Sequence, residues 1–111
     1  MKRTFITLMT VVALSLPLSA CLSSLNLAEG IASFKKQNYR QAFIRLLPEA
    51  NKGNPEAQYA IGYMYYYGQG VTEDREQALK WIRLAALANQ PDAIVALNAI
   101  KKQPKIVKHF D

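Results

Sequence analysis

Pro55-Glu56-Ala57 recurs as Pro91-Asp92-Ala93, an offset of 91 − 55 = 36 residues. The same offset carries Ala60 onto Ala96 and Ile61 onto Leu97. Run backwards, it carries Gln77-Ala78 onto Gln41-Ala42, Asp74 onto Asn38 and Ala86 onto Ala50. Three partial copies in one register restrict the fold sharply. A unit of this size is one supersecondary element that cannot bury its own apolar face, so its copies must stack into a continuous core.

Local signals make each unit a helix hairpin. Asn38 with Gln41, and Asp74 with Gln77, have the spacing of a capping box, in which two orphan backbone donors are satisfied reciprocally. Pro55 and Pro91 suit the first position of a helix, where the missing N–H costs nothing. Gly53, Gly68 and Gly70 mark stops and turns. These signals predict five helices, over about 27–36, 39–51, 55–67, 74–89 and 91–102. No segment alternates with period two for long enough to make a strand. The expected fold is therefore all-α, a short α-solenoid of antiparallel helix hairpins. Its core stripes are Ala42, Phe43, Leu46 and Ala50; Ala57, Ile61, Met64 and Tyr65; and Ala78, Trp81 or Ile82, and Ala85. Alanines at the crossings let helices approach closely, with Trp81 and Tyr59 filling the space opposite.

The residues of one unit resemble a known repeat. Ala57-Gln58-Tyr59-Ala60-Ile61-Gly62-Tyr63-Met64-Tyr65, then Gly68-Gln69-Gly70-Val71, then Asp74, Ala78, Trp81 and Ala85-Ala86, are similar to a complete Sel-1-like repeat, a relative of the tetratricopeptide repeat. The tetratricopeptide repeat shares the Ile61, Gly62 and Tyr65 element but lacks the Gly-x-Gly-Val loop and has a period of about 34 residues. Residues 34–50 resemble a degenerate first unit. The stretch after Pro91 resembles the start of another, with Gln58-Tyr59 replaced by Ile94-Val95 and Gly62 by Asn98, as in a capping helix. The resemblance implies an adaptor that holds a partner protein on a helical surface. In bacteria it implies roles in envelope homeostasis or host interaction, or alternatively an immunity-type protein that stoichiometrically inhibits a toxic effector enzyme.

The first twenty residues read as a targeting segment. Lys2 and Arg3 precede an apolar run from Phe5 to Leu16, and Pro17 breaks it. This is the order of a secretory signal, and it is short for a bilayer span of about 20 residues. Leu18-Ser19-Ala20-Cys21 resembles the bacterial lipobox, and Cys21 is the chain's only cysteine. The resemblance implies that Cys21 is acylated and begins the mature protein; an uncleaved membrane helix is the alternative. Leu22 stands where an Asp would signal inner-membrane retention, which points to an outer-membrane lipoprotein, on the periplasmic face. The expected organisation is signal peptide 1–20, lipidated Cys and tether 21–26, solenoid 27–102 and basic tail 103–111.

Chemistry is not expected. The net charge of +6 is concentrated at the ends. Residues 21–100 hold eight bases and seven acids, so 8 − 7 = +1, and no basic stripe interleaves with aromatics as nucleic-acid binding requires. His109 is the only histidine, and no geometry sets Ser23, Ser24 or Ser33 beside it as a nucleophile. One histidine and one cysteine do not make a metal site. Gly68-Gln69-Gly70 lacks the Lys-Ser/Thr of a phosphate loop. Glu73, Asp74 and Glu76 complement a helix N-terminus, or bind a cation. The expectation is no catalytic residue, no cofactor, no small-molecule substrate and no nucleic acid. The partners are an unidentified envelope or effector protein and, through Cys21, the membrane. Lys101, Lys102, Lys105 and Lys108 either touch anionic lipid or an acidic partner, or form a solvated end.

A partner needs positions that the repeat does not consume. On the third helix these are Glu56, Ala60, Tyr63 and Tyr67, spaced four, three and four to form one stripe. Tyr63 and Tyr67 are the interface candidates because Tyr is over-represented among hot spots. The competing role for both is packing against a neighbouring hairpin or the first helix.

Overall fold

The computed structural model describes residues 21–103. They form α1, helical from residue 21 through 35, followed by α2 (Tyr39–Asn51), α3 (Pro55–Tyr67), α4 (Arg75–Leu87) and α5 (Pro91–Lys101). No strand occurs among the described residues. Consecutive helices pack on one another, α2 on α3, α3 on α4 and α4 on α5. The all-α solenoid expected from the repeat is the observed fold.

The repeat is written in the backbone turns as well as in the sequence. Gly53 and Asn89, 36 positions apart, both take a left-handed conformation (φ 98° and 63°). At the first turn Gly53 N–H bonds Ala50 O and Asn54 N–H bonds Glu49 O; at the second Asn89 N–H bonds Ala86 O and Gln90 N–H bonds Ala85 O. This paired 5→2 and 6→1 pattern is the Schellman motif, which satisfies the last carbonyls of a helix. The residue after each turn caps the next helix. Asn54 Oδ1 accepts from Ala57 N–H at 3.0 Å, and Gln90 Oε1 accepts from Ala93 N–H at 2.6 Å. The boxes at the other helix starts are used unequally. Asp74 Oδ1 accepts from Gln77 N–H at 3.1 Å, but the Asp74 N–H donates to Tyr65 O, and the Asn38 side chain makes no cap bond.

The core follows the predicted stripes and forms two clusters. Ala42, Leu46 and Ala50 of α2 meet Ala57, Ala60, Ile61 and Met64 of α3, all at 1 % exposure or less. Leu79, Ile82 and Ala85 of α4 meet Ala93 and Ile100 of α5. Of the two candidates on α4, Ile82 is buried and Trp81 is half-buried against the α2–α3 cluster. Gln58, one of two buried polar residues among those described, donates from Nε2 to Ala50 O at 3.2 Å and ties α3 to the end of α2. A Cβ on Gly62 would lie 2.7 Å from Ile82 Cγ1 and 3.1 Å from Ala78 O, so α3 and α4 cross in contact there.

The first unit departs from the repeat in two related ways. The offset from Gly68 falls on Ala32, where no glycine offers a left-handed stop, and α1 runs on to residue 35 before Gln37 (φ 62°) turns the chain. The close glycine of the α1–α2 crossing is Gly30, against Leu46, one turn beyond the position equivalent to Gly62, which is Asn26. The expected tether over 21–26 is corrected by the structure: those residues are already helical. Their polar side chains are engaged by α2, with the Ser23 hydroxyl donating to Glu49 Oε2 at 2.7 Å and Arg45 Nη1 donating to Asn26 Oδ1 at 3.4 Å.

Candidate functional site: a tyrosine-lined groove

The third helix ends in a run of aromatics, Tyr63, Tyr65, Tyr66 and Tyr67, on a helix of 3.6 residues per turn, so the rings point to different sides. Tyr65 turns toward α2 and meets Phe43 edge-on at 5.6 Å. Tyr59, Tyr63, Tyr66 and Tyr67 line a depression between α3 and α5. Ile82 forms its floor, and Ala96, Ala99, Ile100 and Gln103 form the opposite wall. It encloses about 150 Å³. Small residues on α5 leave the tyrosine faces uncovered on that side.

The rings form a connected chain. Phe34 meets Tyr39 at 5.6 Å and Tyr63 at 5.2 Å, both edge-on. Tyr39 stacks on Tyr63 at 6.4 Å, Tyr63 meets Tyr67 at 4.7 Å, and Tyr67 meets Tyr66 edge-on at 4.9 Å. Arg75 ends the chain, its guanidinium carbon 4.6 Å above the Tyr66 ring while Nε bonds Glu73 at 3.0 Å. Such ring pairs contribute about 0.5–1.5 kcal/mol each beyond their buried area. The Tyr66 hydroxyl donates to Gln103 Oε1 at 3.3 Å, across the groove. Burial pushes the Tyr59 phenol above its ordinary range, with Asp92 adding to the effect. Burial does the same to Tyr63, with Tyr39 beside it.

The predicted stripe therefore divides. Tyr67 is 57 % exposed and Glu56 is exposed, as a contact residue must be. Ala60 is corrected: at 1 % exposure it belongs to the α2–α3 core, because the stripe crosses from the α5 side of the helix to the α2 side. Tyr63 does both jobs. It is half-buried against Phe34 and Tyr39, the packing role anticipated for it, and still lines the groove. Tyr59 and Tyr66 were not in the stripe, since Tyr59 had been assigned to the repeat pattern. The signal that would have found them is the α5 wall of alanines at 96 and 99, facing a row of tyrosines. His109, Lys105 and Lys108 lie outside the described residues. Among the described residues no three His, Cys, Asp or Glu side chains come together as a metal site would need.

A second, more open apolar hollow lies between α4 and α5, and Leu87, which lines it, is 81 % exposed.

Residues 55–90 match the Sel1 repeat. The matched stretch is one full period, comprising α3, the glycine loop, α4 and the turn at Asn89. A segment of 54 residues is 41 % identical to the chitin synthase regulator SKT5 of Saccharomyces cerevisiae, covering 49 % of this chain and 8 % of that protein. The chain thus spans a small fraction of the length of this relative. Sel1 repeats mediate protein–protein interaction, and the tyrosine groove lies on the α3 of the Sel1 repeat found here.

Proposed function

We propose that the protein is a membrane-anchored adaptor of the bacterial cell envelope that binds a partner protein in the groove between α3 and α5. The observation that carries the binding part is Tyr67, 57 % exposed on a rigid helix beside three further tyrosines. Aromatic side chains held by neighbours lose little conformational freedom on binding, and Tyr is enriched at hot spots. The anchoring part rests on the apolar run from Phe5 to Leu16 and the lipobox-like Leu18-Ser19-Ala20-Cys21, with acyl chains on Cys21 holding the protein to the periplasmic face of the outer membrane.

The test is crosslinking and affinity capture of full-length protein from envelopes, wild type beside Tyr67→Ala, with partners identified by mass. Tyr67 is exposed but pairs with Tyr63 and Tyr66, so Tyr67→Ala should cost about 1–3 kcal/mol of stability, and circular dichroism at the capture temperature checks that the variant is still folded. A hot-spot tyrosine is worth about 2 kcal/mol or more, so one partner should be captured in equal ratio by wild type and about 30-fold less by the variant. A partner that survives Tyr67→Ala undiminished places the interface elsewhere.

A further inference from the structure

Antiparallel helices sort the chain's turns onto two edges. Residue 21 of α1, the end of α2, the start of α3, the end of α4 and the start of α5 share one edge, which carries the turns at 52–54 and 88–90. The turns at 36–38 and 68–74 lie on the other. The antiparallel order of α1 and α2 is fixed by their contacts, Ser23 to Glu49 near one end and Gly30 to Leu46 further along.

Residue 21 sits on the first edge with no slack after it. The α1 helix is under way at residue 21, and its turns over 21–29 are braced by α2. Ser23 bonds the buried Glu49 carboxylate, which also pairs with Lys52 at 3.3 Å, while Arg45 holds Glu29 and Asn26. The same turns present Leu22 and Leu25, 61 % and 52 % exposed, on one stripe with Asn26 and Glu29. Leu87 stands exposed at the end of α4 on the same edge.

From this placement we infer that the edge bearing residue 21 lies on the lipid bilayer surface, with Leu22 and Leu25 sunk to headgroup depth, and that the tyrosine groove is held open to the aqueous side. The inference rests on the anchoring proposed above. With Cys21 acylated, the attachment point is residue 21. At about 1.5 Å of rise per residue, Leu25 stands about 6 Å along the helix from it, close to the attachment point. A helix braced to its neighbour cannot swing its leucines away from the surface without moving the whole solenoid. Tyr67 lies at the far end of α3, 12 residues from Pro55, which sets it about 18 Å from that edge.

The experiment uses full-length protein in vesicles of phosphatidylethanolamine and phosphatidylglycerol. A nitroxide is placed at Asn51→Cys on the near edge or at Thr72→Cys on the far edge, both exposed positions. Relaxation by a nickel-chelating headgroup lipid is compared with relaxation by a water-soluble nickel complex. The headgroup probe should act at least threefold more strongly at 51 than at 72, and Leu22→Ser/Leu25→Ser should abolish the difference while the protein still floats with the vesicles. Equal relaxation at the two sites, or a difference indifferent to the leucine substitutions, overturns the docked edge and leaves the anchor standing. Protein that fails to float with vesicles removes the anchor and the docked edge together.

Discussion

Gly62→Ala sets two known magnitudes against each other at one atom. In a helix interior alanine is favoured over glycine by about 1 kcal/mol, so on propensity alone the change stabilises α3. The added Cβ meets Ile82 Cγ1 at 2.7 Å, Ala78 O at 3.1 Å and Ile82 N at 3.2 Å. The isoleucine can rotate to relieve the first contact. The other two are backbone of α4 and yield only if the helices separate, at the crossing with the buried Ala78 and Ile82. Overpacking of this kind costs about 1–3 kcal/mol. The expected net is a loss of about 1 kcal/mol, and a domain of this size should melt roughly 4–8 °C lower by far-ultraviolet circular dichroism. The double mutant Gly62→Ala/Ile82→Ala separates the contributions. If the Cγ1 contact carries the cost, the two substitutions should couple favourably by about 1 kcal/mol, less than the 2–5 kcal/mol that Ile82→Ala costs alone. A Gly62→Ala protein more stable than wild type would refute the close α3–α4 crossing.

Two further expectations follow from the caps and the tyrosines. Asn54→Ala and Asp74→Ala should each cost about 1 kcal/mol, because each side chain accepts a backbone N–H at its helix start, while Asn38→Ala should change denaturant stability by less than about 0.5 kcal/mol. The phenols of Tyr59 and Tyr63 are raised by burial, so the fold favours their neutral forms. Their contribution is fully present below the unfolded value of about 10 and is lost as pH rises through the folded values. Stability measured against pH should therefore fall above about pH 10, and Tyr59→Phe/Tyr63→Phe should flatten that slope; an unchanged slope removes these groups as its cause.

Much of the architecture was legible because the repeat repeats its turn chemistry. The offset that relates Pro55 to Pro91 also relates the left-handed Gly53 to Asn89 and the capping Asn54 to Gln90, so hairpin boundaries fell within two residues of prediction for α2 through α5. Apolar spacing was enough to find Ala42, Leu46, Ala57, Ile61, Met64, Ala78 and Ala85 in the core, since a 3.6-residue period assigns a face without reference to neighbours.

What a face meets is a different question, and spacing is silent on it. Ala60 and Tyr67 share a stripe on α3, yet one is sealed against α2 and the other is open to solvent, because two neighbouring helices divide that stripe between them. Asn38 carries the same capping signature as Asp74 and does not use it, since α1 runs on past the point where a glycine would have stopped it. Residues 21–26, read as a tether between the lipobox and the repeat, are helical, with Ser23 and Asn26 engaged by Glu49 and Arg45 of α2. The sequence by itself determined the unit, its period and its buried stripe, all set by local backbone preferences and side-chain periodicity. Tertiary structure alone decided which tyrosines form the groove and what residues 21–26 pack against, because each depends on a contact between residues distant along the chain.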